Sequence, residues 1–197
     1  MKLLKSGKLL LNALPLFAIA VILGGIAHQK YQSDAALPDY DDPSAVMAMS
    51  LRASPSMSQY HSVKRVADGD TIILNNGEKV RLCGIDAPES SQPLGAESTA
   101  NLKRLIDAAG GNVIVTEMER DRYGRIVGEV FVKRANDEAL LNIEQLQSGM
   151  AYLYERYAKN CMNGSLFPDA ESRAKAKKRG VWKGNYQRPW DFRRQNR

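Results

Sequence analysis

Three short segments gather charged side chains where the chain turns: Asp68-Gly69-Asp70-Thr71, the run Arg81-Leu82-Cys83-Gly84-Ile85-Asp86-Ala87-Pro88-Glu89, and Asp121-Arg122-Tyr123-Gly124-Arg125. Asp70 and Asp86 can offer hard oxygen ligands to a divalent cation. Arg81 and Arg125 can each grip a phosphate through a planar fork of N–H donors and stabilise charge building up at phosphorus. Glu89 can orient or deprotonate an attacking water. Taken singly, these segments say little. Asp-Gly-Asp is commonly a capped turn, and an arginine within a strand commonly reaches out to solvent. Together they supply the parts that cleavage of a phosphodiester needs.

The surrounding pattern predicts the elements that must hold them. His61 to Val66 alternates as a strand, Thr71 to Leu74 is a second, and Asn75-Asn76-Gly77 is a hairpin turn into a third strand over Lys79 to Ile85. Pro88 stops that ladder. Gly95 to Ala109 reads as a helix with Leu102, Leu105 and Ile106 on one face, ended by Gly110-Gly111. Asn112 to Glu119 and Ile126 to Val132 are two more strands around the polar turn Arg120 to Arg125. Glu138 to Ser148 and Asp169 to Arg179 read as helices, and Ala151 to Tyr154 as a short extended piece. Five principal strands with helices imply an α+β domain around a closed or nearly closed barrel.

The 197 residues fit one compact domain over 59–185 with an appendage, and a basic C-terminal tail over 186–197. A formal charge of +6 favours polyanionic partners, nucleic acid or anionic membrane. Lys2, Lys5 and Lys8 precede an apolar run from Leu9 to Ala27, so residues 1–30 read as an export signal. Cleavage near Gly25-Ile26-Ala27 would release a secreted or periplasmic protein. Retention would anchor it in the membrane with the folded part outside the cytoplasm. Residues 31–58, rich in Asp, Pro, Ser and Ala without a period, read as a flexible linker. No C-x-x-C occurs, which argues against structural zinc. Cys83 and Cys161 can be unrelated buried thiols or one bridge, and export favours the bridge. Lys175, Lys177, Lys178, Arg179, Lys183, Arg193, Arg194 and Arg197 either widen a polyanion footprint or form a solvated helix face.

Val63 to Thr71, Arg81 to Glu89 and Asp121 to Arg125 resemble, in order, the three signature blocks of the staphylococcal nuclease (thermonuclease) family. The similarity runs from about His61 to Trp182 and takes in Asn142, Gly149, Ala151, Tyr152 and Tyr154. The resemblance implies an oligonucleotide-binding-type five-stranded β-barrel with three helices and a monomeric, Ca²⁺-dependent endonuclease leaving 3′-phosphate ends on DNA, RNA or both. By the same resemblance Asp70, Asp86 and the Ala87 carbonyl match the calcium ligands, with Ala87 where the family enzyme has threonine. Arg81, Glu89 and Arg125 match its catalytic residues. Tyr123, Tyr152 and Tyr154 match positions around the nucleotide pocket. Only Ser90 to Leu94 separates Glu89 from the first helix, where the family enzyme has a longer, lysine-rich loop. A Cys83–Cys161 bridge would pin the divergent stretch from Glu155 to Pro168 beside the third strand. The competing function is a non-catalytic nucleic-acid-binding module tethered at the membrane. The presence of all five of Asp70, Arg81, Asp86, Glu89 and Arg125 speaks against it.

Overall fold

The computed structural model describes residues 58–196. The export segment and all but the last residue of the expected linker lie outside them. In chain order the elements are β1 (Ser58–Asp68), β2 (Thr71–Leu74), β3 (Lys79–Leu82), β4 (Ile85–Asp86), α1 (Gly95–Ala108), β5 (Asn112–Arg120), β6 (Ile126–Lys133) and β7 (Glu138–Leu140). They continue with α2 (Leu141–Gln147), β8 (Tyr152–Leu153), α3 (Glu155–Ala158), α4 (Phe167–Ala176) and α5 (Pro189–Gln195). Among the described residues no helix is long and apolar enough to cross a membrane.

The α+β architecture follows from how β1 is used. Its first half, Ser58 to Ser62, pairs with β5, and its second half pairs with β2. Register shifts at Val63/Arg65 and Val66/Asp68 let the strand turn between those partners. The sheet order is β3-β2-β1-β5-β6-β7, and β3 also pairs with β6 in parallel, Val80 opposite Ile126 and Leu82 opposite Gly128. Five strands therefore pair in a closed ring, and β7 pairs with β6 further along, at Phe131 to Lys133. Ile72, Leu74, Val80, Leu82, Val130 and Phe131 are fully buried in the resulting core. Each such side chain contributes about 1.5–3 kcal/mol relative to exposure.

The first strand runs Ser58–Asp68 rather than His61 to Val66, and so takes in the last residue of the expected linker. Three further boundaries differ for identifiable reasons. The expected third strand is cut in two at Cys83-Gly84. Gly84 has φ +70°, and a Cβ there would lie 2.7 Å from the Phe167 ring and 2.8 Å from Cys161 Sγ. The expected helix from Glu138 begins only at Leu141. Before it, Ala139 and Leu140 are buried by pairing with Val132 and Phe131 of β6, so the ladder wins over the helical period. The basic helix runs Phe167–Ala176 rather than Asp169 to Arg179, with a proline in its first turn. Five α-helices, not three, are present among the described residues. The additional ones are α3 and α5, and α5 lies within the segment expected as a tail.

Cys83 and Cys161 are bridged, with Cα atoms 6.1 Å apart. The same loop is held a second way: the fully buried Glu129 carboxylate accepts hydrogen bonds from the Asn163 backbone N–H at 2.6 Å and its Nδ2 at 2.7 Å. The bridge joins residues 78 apart, so the chain-entropy estimate gives about 4.5 kcal/mol of stabilisation. Urea unfolding with and without reductant is expected to differ by about that amount. Coincident midpoints would show that the bridge leaves stability unchanged.

Candidate active site

The site is built where β2, β3 and β4 meet. Thr71 pairs with Arg81, and the Leu82 N–H donates to the Asp70 carbonyl at 2.8 Å, so the Asp68-Gly69-Asp70 turn lies directly beside the arginine. Arg81 bridges two acids. Its Nη1 donates to Asp70 Oδ1, and its Nη2 donates to Asp86 Oδ1 at 2.7 Å and to the Ile85 carbonyl at 3.2 Å. Asp70 Oδ2 accepts the Ala87 N–H at 2.8 Å, and Oδ1 accepts the Thr71 hydroxyl at 3.0 Å. Both aspartates are buried, Asp86 completely.

Gly69 is required by contact rather than by backbone angle. A Cβ there would collide with Ser98 Oγ and come within 2.7 Å of the Ala87 Cβ. The turn is thus sandwiched between α1 and the chain after β4. Helix α2 fixes both acid-bearing segments: Gln145 Nε2 donates to the Gly69 carbonyl at 2.6 Å, and Asn142 Nδ2 donates to the Cys83 carbonyl at 2.8 Å. Both side chains are wholly buried and hydrogen-bonded, which makes their burial tolerable.

Across the cavity, the Asp121 carboxylate organises the β5–β6 turn. It accepts the Tyr123 and Arg125 backbone N–H groups at 2.9 and 3.0 Å and Arg125 Nε at 2.7 Å. Nε is thereby occupied, and the two terminal nitrogens are what Arg125 can offer an anion. Asp70, Arg81, Ala87, Glu89 and Arg125 all line one cavity of about 850 Å³, together with Tyr123 and Tyr154. Asp86 sits behind it, joined through Arg81. Tyr123 is 69 % exposed, with the Arg122 and Arg125 guanidiniums over its ring at 4.9 and 5.7 Å. Tyr152 is only 1 % exposed, so it is not an open face for a base. Trp182 and Trp190 meet it edge-on, and Arg188 lies 4.1 Å from its ring centre.

A family model described as staphylococcal nuclease homologue matches residues 79–184. The chain belongs to the staphylococcal nuclease family. It is 41 % identical over 123 residues to an uncharacterized endonuclease of Escherichia coli, covering 61 % of this chain and 74 % of that protein. It is 38 % identical over 141 residues to a micrococcal nuclease of Shigella flexneri, covering 67 % and 79 %. To an uncharacterized endonuclease of Haemophilus influenzae it is 34 % identical over 140 residues, covering 68 % and 73 %.

Two features of this member of the staphylococcal nuclease family escaped sequence reasoning. The first is Arg193 on α5, which lines the cavity and whose guanidinium bonds Asp86 and Glu89. Nothing in a terminal run of basic residues distinguishes it from its neighbours. The second is Gln145. Its signal was present, because Asn142 and Gln145 stand three apart in a short segment whose other residues are largely apolar. The short loop after Glu89 is closed by the buried Gln92, whose Oε1 accepts the Glu89 N–H at 3.0 Å and whose Nε2 donates to the Gln187 carbonyl at 2.9 Å.

Among the described residues no three His, Cys, Asp or Glu side chains are spaced to cage a metal. A cation here would take the oxygens of Asp70 and Asp86 with the Ala87 carbonyl, a hard donor set suited to calcium. Burial works against ionised Asp70, but the Arg81 charge and the Ala87 N–H outweigh it and hold its carboxyl below the ordinary range. Asp68 goes the other way. Burial first, then the Asp70 charge, push its carboxyl up to about 6 from 3.8. The cost of ionising Asp68 is absent below pH 3.8, grows towards pH 6 and is complete above it. Asp68→Asn, measured by urea unfolding in chelator, is expected to gain about 1–2 kcal/mol at pH 7 and less than about a third of that at pH 4. An equal effect at both pH values would show that the Asp68 charge is not linked to folding.

Proposed function

We propose that this nuclease is an exported, calcium-dependent endonuclease that hydrolyses DNA, RNA or both to 3′-phosphate ends. The observation that carries the reading is the convergence of Asp70, Arg81, Glu89 and Arg125 on one cavity, with Asp86 ion-paired through Arg81. We read the closed five-strand ring as an oligonucleotide-binding-type barrel. Export is supported by the basic, apolar N-terminus and by the disulfide.

A scissile phosphate entering the cavity meets Arg125 from the β5–β6 turn and Arg81 from β3. Arg125 offers its two terminal nitrogens to the non-bridging oxygens, while Arg81, whose terminal nitrogens hold Asp70, Asp86 and the Ile85 carbonyl, adds its charge beside them. Glu89 accepts a proton from the water that attacks phosphorus, the bond to the 5′ oxygen breaks, that oxygen takes up a proton from solvent to leave as a hydroxyl, and phosphate stays on the 3′ side. Asp70, Asp86 and the Ala87 carbonyl would hold calcium, which supplies further positive charge to the developing oxyanion. Tyr123 offers an exposed ring for stacking a base at the rim, and Tyr154 lines the cavity beside it.

The test is cleavage by the full chain of single- and double-stranded DNA and of RNA, with calcium or with chelator. Arg81→Lys and Arg125→Lys keep charge but lose the planar fork, and each is expected to lower kcat/KM about 10²–10³-fold. Asp70→Ala should reduce rate and calcium dependence together. Full-speed cutting in chelator would overturn the calcium assignment. Binding without cleavage under any condition would favour the non-catalytic module.

A further inference from the structure

Every oxygen of the Asp86 carboxylate already has a cationic partner. Oδ1 accepts from Arg81 Nη2 at 2.7 Å and from Arg193 Nη1 at 3.1 Å, and Oδ2 accepts from Arg193 Nη2 at 2.7 Å. Arg193 Nη1 also donates to Glu89 Oε1 at 2.6 Å. One guanidinium therefore holds both the acid assigned to the cation and the acid assigned to the water. It comes from α5, whose first turn is docked independently of these ion pairs. Trp190 stacks on Tyr154 with ring centres 5.3 Å apart and planes within 11°, Pro189 is buried, and Gln92 holds the Gln187 carbonyl.

A guanidinium and a divalent cation seek the same lone pairs. Asp86 has no solvent exposure and both of its oxygens are occupied by guanidinium donors, so a dication that takes either of them must displace one. Arg193, whose side chain is more exposed than that of Arg81, is the partner free to leave.

We propose that Arg193 is a resident counter-cation that exchanges with the divalent ion on Asp86 and Glu89. It thereby sets the affinity of the site for that ion, and it releases Glu89 only when the ion arrives. Arg193 is then a positioning residue carried by the C-terminal helix. The proposal rests on the reading of Asp70, Asp86 and the Ala87 carbonyl as cation ligands.

Calcium titration calorimetry on the full chain, wild type against Arg193→Gln and Arg193→Lys, tests it. Removing a charge-assisted competitor is expected to tighten calcium binding about tenfold in the Gln variant, with the Lys variant between. In the wild type, calcium should also speed amide exchange at the end of α5, because Arg193 loses its partners. Equal or weaker affinity in the Gln variant overturns the proposal. So does tighter binding with unchanged α5 exchange in the wild type, since Arg193 would then act only through its field. If the Gln variant does not fold, the exchange measurement on the wild type decides alone. Absence of calcium binding in all three proteins would overturn this proposal together with the calcium assignment, while cleavage itself is judged by the nuclease assay.

Discussion

The buried bridge of Arg81 between Asp70 and Asp86 is the constraint on which the rest depends. Two carboxylates withdrawn from water are tolerated because one planar cation reaches both, with Arg193 as a second partner of Asp86, and removing Arg81 would strand charge in a poorly solvated place. Burial and charge pull in opposite directions here. Burial opposes the ionised guanidinium, and the two aspartates outweigh it and hold Arg81 firmly protonated. The three partners come from a turn, a strand and a two-residue strand, so the site demands that β2, β3 and β4 keep their register.

The fold meets that demand with polar groups placed in otherwise apolar packing. Asn142 and Gln145 of α2 spend their amides on the carbonyls of Cys83 and Gly69, which lie next to the two acid-bearing segments. Gly69 allows α1 and the chain after β4 to close on the turn from both sides. On the far rim, a single Asp121 carboxylate shapes the turn and aims Arg125. The network is satisfied throughout, and that is what lets it specify geometry as well as bear the cost of burial.

Most of this was legible in the sequence, for identifiable reasons. The strands before and after the Asn76-Gly77 turn, and the helix closed by Gly110-Gly111, follow from local pattern and turn chemistry. The three charged blocks pointed to one site because chemistry-bearing residues stood at strand ends. What could not be read was set by contacts across the chain. Glu138 to Leu140 has a helical period, yet pairs with β6 because an open edge was waiting there. Tyr152 occupies a position matched to a nucleotide pocket, yet its ring is enclosed by Trp182, Trp190 and Arg188. Arg193 looks like one of several terminal cations until α5 docks through Trp190, and only then does its guanidinium reach Asp86 and Glu89.

The parallel pairing of β3 with β6 carries a consequence for when the molecule becomes dangerous. Val80 and Ile126 stand 126 − 80 = 46 residues apart, and a pairing across such a separation carries a loop-closure entropy that the local turns do not. That ladder is also what brings the strand bearing Arg81 alongside the one that follows Arg125. A nascent or half-folded chain therefore possesses every reactive side chain and no shared target for them. Without that ladder Arg81 and Arg125 are not brought to one cavity.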